Sequence, residues 1–226
     1  MYKKTLLFLM ILFVSLGAFA STNPLTILEG SLNYEYKKTK IDLYYPVIIE
    51  IENKDALSQI NSTIKTDVFN FYEYFKQAAA LIAKDVRTGL VGYVSYETTL
   101  NEPGILSINV TYYQYTGGAH GVYDVINYTF DTKTGQRLYL EDLFLPNSDY
   151  KDFIRDEVVR QITESDEMFF EDAIETVRDQ NFSFYLTLDG FFVYYGLYEI
   201  WPYSNGIAEF KIPYTLLKNH FCLIRK

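Results

Sequence analysis

Apolar positions along the chain fall into two periods. From Ala56 they recur at three- and four-residue steps through Ile60, Ile64, Val68, Phe71, Phe75, Ala79 and Ile82, which is one face of an amphipathic helix. Asn53 or Asp55 can cap its start, the pattern reaches about Lys84, and Gly89 stands ready as a stop. Two-residue alternation flanks this helix. Segments 32–36 and 41–51 precede it as strands after a short tail over 21–30, and Pro46 marks the second as an edge or bulged strand. Segments 91–100, 105–115, 122–130 and 136–140 follow it as an antiparallel meander. Asn101-Glu102-Pro103-Gly104 and the stretch 131–135 supply two of its turns.

The second half changes period again. Asp149 opens a helix with Phe153, Ile154, Val158 and Ile162 on its apolar face, and Ser165 or Asp166 caps another with Phe169, Phe170, Ile174 and Val177. Strands 182–188 and 191–195 face each other across Asp189-Gly190, a hairpin turn signal. Segment 207–212 is a further strand, and Pro213 can start a short helix over 214–218. The order predicts an α+β protein: an antiparallel meander with a long N-terminal helix, then a helix pair and a C-terminal hairpin. Two lobes, 21–130 and 131–226, or one compact domain both suit it.

Two loops interrupt the strands in a way that packing does not require. Thr116-Gly117-Gly118-Ala119-His120-Gly121 breaks the hairpin between 105–115 and 122–130 with three glycines. Such residues admit positive φ and let the backbone approach a neighbour or ligand. Thr116, Gly117, Gly118, Ala119 and His120 are therefore the first candidate binding loop. Trp201, Pro202, Tyr203 and Ser204, holding the only tryptophan of the chain, are the second. Exposed, that cluster is a rigid contact surface; buried, it is a core corner shaped by Pro202.

Catalytic and metal motifs are scarce. His120 and His220 are the only histidines and Cys222 the only cysteine, so neither a zinc cluster nor an internal disulfide is expected. The glycine tip lacks the Gly-Lys-Ser/Thr ending of a phosphate loop, and no G-x-S-x-G elbow occurs. His120 could act as a general base beside Thr116, or simply hold the tip. Glu97, Asp124, Asp189, Glu199 and Glu209 lie near strand ends, but their spacing selects no acid pair. A non-catalytic binding domain with no metal and no cofactor fits these residues better than an enzyme.

Composition narrows the partner. The chain is 18% aromatic, with 22 tyrosines, residues that suit half-buried sheets and wet contact surfaces. Net charge is −9, which argues against nucleic acid and anionic membrane and suits a basic protein partner. Lys3 and Lys4, an apolar run over 5–16 and Ala18-Phe19-Ala20 read as an export signal; cleavage after Ala20 would leave no membrane attachment, and an uncleaved N-terminal anchor is the second reading. The expected location is secreted or periplasmic. Sequons at Asn61, Asn109, Asn127 and Asn181 carry little weight.

Three stretches bring a family into view: YYPVIIEIENKDALSQINSTI from Tyr44, YYQYTGGAHGVYDVINYTFDTKTGQRLYLEDLF from Tyr112, and FYLTLDGFFVYYGLYEIWPYSNGIAEFKIPYTLL from Phe184. Together they resemble the exported bacterial DUF4163/DUF3298 domain pair, which would place a DUF4163-like lobe in 21–130 and a DUF3298-like lobe in 131–226. Similar pairs form the extracellular, lysozyme-binding part of anti-sigma factors and precede the catalytic unit of some peptidoglycan deacetylases. The resemblance implies a binding surface made by the two loops above. Its implied partner is a basic lysozyme-like muramidase or peptidoglycan, with a hydrolase or a structural envelope protein as the remaining readings.

Overall fold

In the computed structural model, which describes residues 24–82, 87–217 and 220–222, one long helix lies across a six-stranded sheet. Strands β1 (Ile27–Tyr36) and β2 (Thr39–Ile48) form an antiparallel hairpin. Helix α1 (Lys54–Ile82) then crosses over to β3 (Leu90–Glu102), and β4 (Ile105–Tyr115), β5 (Val122–Asp131) and the two-residue β6 (Arg137–Leu138) complete the sheet in the order β1-β2-β3-β4-β5-β6. The β2–β3 pairing is parallel and runs from Thr39↔Leu90 to Leu43↔Val94. A parallel pair needs a long crossover, and α1 is that crossover.

The helix forms where the pattern places it. Asn53 Oδ1 accepts the N–H groups of Asp55 and Ala56 at 3.0 and 3.3 Å, capping the first turn. Ala56, Ile60, Ile64, Val68, Phe75 and Ala79 are buried against Ile41, Leu43, Val94, Val110, Tyr128 and Phe130, while Phe71 and Ile82 are half-covered at the edge of that core.

A second core is built by α2 (Tyr150–Glu164), α3 (Ala173–Asp179) and a three-stranded antiparallel sheet, β7 (Ser183–Leu186), β8 (Gly190–Tyr195) and β9 (Ala208–Pro213). Ile154, Val158, Ile162 and Val177 pack there against Leu186, Phe191, Val193, Phe210 and Ile212. A β-bulge lets β3 serve both cores. Its register slips between Thr98 and Leu100, and a one-residue slip turns the following side chains to the opposite face. Val94 thus lies in the helix-side core and Leu100 in the second.

Beside the apolar contacts of Leu100, Ile105 and Leu138, polar groups join the lobes. Buried Ser107 Oγ meets Asn127 Nδ2 at 3.0 Å, Thr99 Oγ1 at 3.0 Å and the Leu186 N–H at 3.3 Å. Tyr194 O–H donates to the Val125 carbonyl at 3.0 Å. The net stabilisation from each such bond is modest, but their fixed directions set the placement of one sheet on the other.

Burial pushes the phenols of Tyr112, Tyr194 and Tyr214 up to about 12. Unfolding returns them to the ordinary ~10, so the stability they hold is complete below pH ~10 and is lost as pH rises toward 12. Urea midpoints measured at pH 8, 10 and 11 should fall in that order; equal midpoints would contradict the burial of these hydroxyls.

The structure corrects three local expectations and decides a fourth. Residues from Ile27 onward belong to β1, not to a tail: Gly30 is a strand glycine covered by Tyr45, whose ring would lie 2.6 Å from an added Cβ. At Pro46 the edge reading holds and the bulge does not: it pairs with Glu29 on β1 without a register shift, beyond the parallel seam where no second neighbour needs its N–H. The second helix of the pair is short: Ser165 ends α2, and Phe169 and Phe170 precede α3, with the Phe170 N–H bonded to the Ile200 carbonyl at 2.9 Å. After Pro213 the chain makes hydrogen-bonded turns in place of a helix. The expected export signal, 1–20, lies outside the described residues. Among those described, no helix is long and apolar enough to cross a membrane.

Candidate functional site

The turn from β4 to β5 and the connection from β8 to β9 meet at one end of the molecule. Gly117 and Gly118 take φ of 99° and 112°, values that side chains rarely adopt. Nothing lies within 4 Å of an added Cβ at Gly118, so conformation alone requires glycine there. Gly121 is the opposite case: an added Cβ would sit 2.3 Å from the Tyr113 hydroxyl. Tyr115 O–H closes the tip by donating to the Gly118 carbonyl at 2.9 Å.

The facing loop is ordered by its own backbone. The Glu199 carboxylate accepts the Gly196 N–H at 2.8 Å, and inside that turn Tyr198 takes φ of 64°, uncommon for a bulky side chain. Pro202 leads into a 3-10 turn, Tyr203–Asn205, which Gly206 ends at φ 77°. Trp201 is half-buried, packed on the second core. Its ring stacks on Phe169 with centroids 5.5 Å apart, and its Nε1–H donates to the Gly206 carbonyl at 2.8 Å.

His120 joins the two loops. Its ring stacks on Tyr203 with centroids 4.0 Å apart and planes 25° from parallel. Nδ1 lies 2.9 Å from the Gly121 carbonyl and Nε2 3.3 Å from the Tyr198 hydroxyl. A carbonyl can only accept, so Nδ1 bears a proton, and in the neutral imidazole Nε2 accepts from Tyr198. Tyr203 O–H donates to the same Gly121 carbonyl at 2.7 Å. Partial burial, and then the neighbouring phenols of Tyr113, Tyr123 and Tyr198, hold the Tyr203 phenol above its ordinary pKa.

Of the nine expected residues, His120 and Tyr203 therefore touch, and Gly117, Gly118 and Pro202 shape the backbone that lets them. Thr116 and Ala119 are exposed on the rim, Ser204 is exposed with its Oγ 3.1 Å from Asn205, and Trp201 packs inward. No hydrogen bond joins Thr116 to His120 among the described residues, so that nucleophile–base pair is not assembled. Tyr198, Tyr113 and Tyr123 belong to the site without having been expected there. The last two are cross-strand partners, a pairing readable from the hairpin register; the position of Tyr198 is set by a turn that no motif marks.

Of the five carboxylates, two share a crevice and three stand apart. Glu97 and Glu209 line a crevice of about 240 Å³ between the sheets, where Glu209 accepts the Tyr185 O–H at 3.1 Å. Asp189 pairs with Lys211, and hydrogen bonds from Lys211 and Thr187 hold its carboxyl below the ordinary range. Glu199 closes its turn, and Asp124 lies on the α1 side of the sheet. No group of three metal-ligating side chains occurs among the described residues.

Two sheets joined through a partly polar seam, with a helix over the first and two over the second, define an α+β architecture found in solved proteins. A DUF3298-family protein of Bacteroides fragilis matches with TM-score 0.68 at 21% identity, over 89% of this chain and 95% of that one. A DUF3298-family protein of Pseudomonas aeruginosa matches with TM-score 0.65 at 18% identity, over 89% and 96%. Family profiles agree: the one described as Deacetylase PdaC matches residues 32–123 and the one described as Protein of unknown function (DUF3298) matches residues 141–215. The chain carries the PdaC and DUF3298 domain pair in that order. No curated protein matches it.

Proposed function

We propose that this is an exported, non-catalytic binding domain, and that the face made by His120, Tyr198 and Tyr203 receives a basic protein of the envelope or host, with a lysozyme-like muramidase as the leading partner. The observation that carries the reading is the stacking of His120 on Tyr203, which unites loops 82 or so residues apart into one surface. Rigid aromatic groups with polar tips, presented on ordered loops, lose little entropy on binding and supply most of the energy at protein interfaces. The net charge of −9 favours a basic partner by long-range attraction. Both ring nitrogens of His120 are engaged within the protein, which suits a structural part in the face better than a free general base.

Calorimetric titration with hen-type lysozyme, beside soluble muropeptides, tests this. Saturable lysozyme binding that weakens with salt is the expected result. Binding of muropeptides alone would replace the protein partner with a glycan, and binding of neither would overturn the proposal.

A further inference from the structure

Helix α1 does not cover the whole of its side of the sheet. Near the hairpin tip a groove of about 490 Å³ remains between the flank of α1 and the surface of β4 and β5. Tyr74, 64% exposed, and Val122, 42% exposed, stand at its edges, and Phe71 and Tyr112 supply apolar wall. Two carboxylates line it, Asp67 from α1 and Asp124 from β5. Asp67 Oδ2 accepts the Tyr128 O–H at 2.8 Å, and Tyr128 in turn meets the Tyr112 hydroxyl at 3.0 Å, so this carboxylate is held from behind. Asp124 Oδ1 takes only the N–H of the next residue, Val125. Among the described residues neither carboxylate has an ion-pair partner. Arg137 serves elsewhere: its guanidinium lies over the Tyr128 ring, 4.4 Å from the centroid, and donates to the Asn127 carbonyl at 2.6 Å.

A cleft with aromatic and aliphatic walls and two uncompensated carboxylates matches a long cationic side chain, which buries its stem and keeps its charged head against acceptors. We propose that the α1–β5 groove is a second contact site, which takes an arginine or lysine side chain from a basic protein partner. Val122, one residue beyond Gly121, lines it, so the groove starts at the hairpin tip that carries His120. The proposal rests on the binding reading above, but the peptide titration that tests it does not depend on lysozyme.

The test is a heteronuclear NMR titration of the protein with acetyl-Gly-Arg-Gly-amide and, as control, acetyl-Gly-Gln-Gly-amide, at low salt. Saturable shifts at Asp67, Phe71, Tyr74, Val122 and Asp124 with the arginine peptide alone are expected. Affinity should fall at least ~10-fold in Asp67→Asn/Asp124→Asn and ~3-fold in Asp124→Asn, whose side chain is exposed and whose fold is not at risk. Tyr203→Ala should leave the peptide response intact while it weakens lysozyme, which separates the two sites. Equal shifts with the glutamine peptide, shifts confined to His120 and Tyr198, no saturable response, or indifference to both asparagine variants would each overturn the proposal. Shifts at the groove with chitotetraose in place of the arginine peptide would overturn it in favour of a glycan site.

Discussion

Phe75→Ala is expected to destabilise the protein by about 3–5 kcal/mol, the usual loss for an aromatic ring removed from a close-packed core. Phe75 is fully buried on α1 and lies directly on β3 at Gly92, where an added Cβ would be 2.7 Å from its ring. Gly92→Ala alone should cost about 1–3 kcal/mol, because the ring is held by its neighbours and has little room to retreat. In the Phe75→Ala background the same methyl group enters space that the ring has left, so its cost should fall or change sign. Urea unfolding of the four proteins of this cycle measures the coupling. Strictly additive losses would show that the ring does not rest on Gly92.

Tyr203→Ala is expected to weaken partner binding by ~30-fold or more, about 2 kcal/mol, as for a hot-spot aromatic at the centre of an interface. The substitution removes the ring that stacks on His120 and the hydroxyl that holds the Gly121 carbonyl, so it strips one loop and loosens the other. Trp201→Phe is the contrasting variant. It keeps an aromatic ring on Phe169 but deletes the hydrogen bond to Gly206. It should lose about 1 kcal/mol of stability and leave affinity within ~3-fold. Calorimetry with lysozyme, with thermal unfolding alongside, reads both effects. The reverse pattern, with Trp201 controlling affinity and Tyr203 only stability, would move the contact surface off the His120 face.

Much of the fold is legible because period and punctuation agree. The α1 stripe, its Asn53 cap and the Asp189-Gly190 hairpin are local signals, and local signals survive folding. Less local features are hidden for identifiable reasons. Pairing of β2 with β3 in parallel depends on where α1 delivers the chain, not on either strand. The bulge near Thr98 sends Leu100 to a different core from Val94, a switch that unbroken alternation conceals. At the site, glycines marked the tip and the Trp-Pro-Tyr run marked the second loop. What did not show was which ring met which partner. Trp201 and Tyr203 are two residues apart and both half-buried, yet Trp201 packs on Phe169 and Tyr203 on His120. Tyr198 joins His120 only because Glu199 ties a tight turn, which is a tertiary outcome of a common residue.

The parallel seam between β2 and β3 also bears on how the sheet assembles and opens. Each hairpin in the sheet closes over a short loop, whereas the seam, from Thr39↔Leu90 to Leu43↔Val94, closes over the whole of α1. Its loop-closure entropy must be met before its five ladder positions are gained. The β3–β6 meander can therefore form first as one cooperative unit and the β1–β2 hairpin as another, with α1 the last element to lock them together. In native-state hydrogen exchange, amides of β1, β2 and the seam would then exchange through a partial opening while those of β4 and β5 await global unfolding.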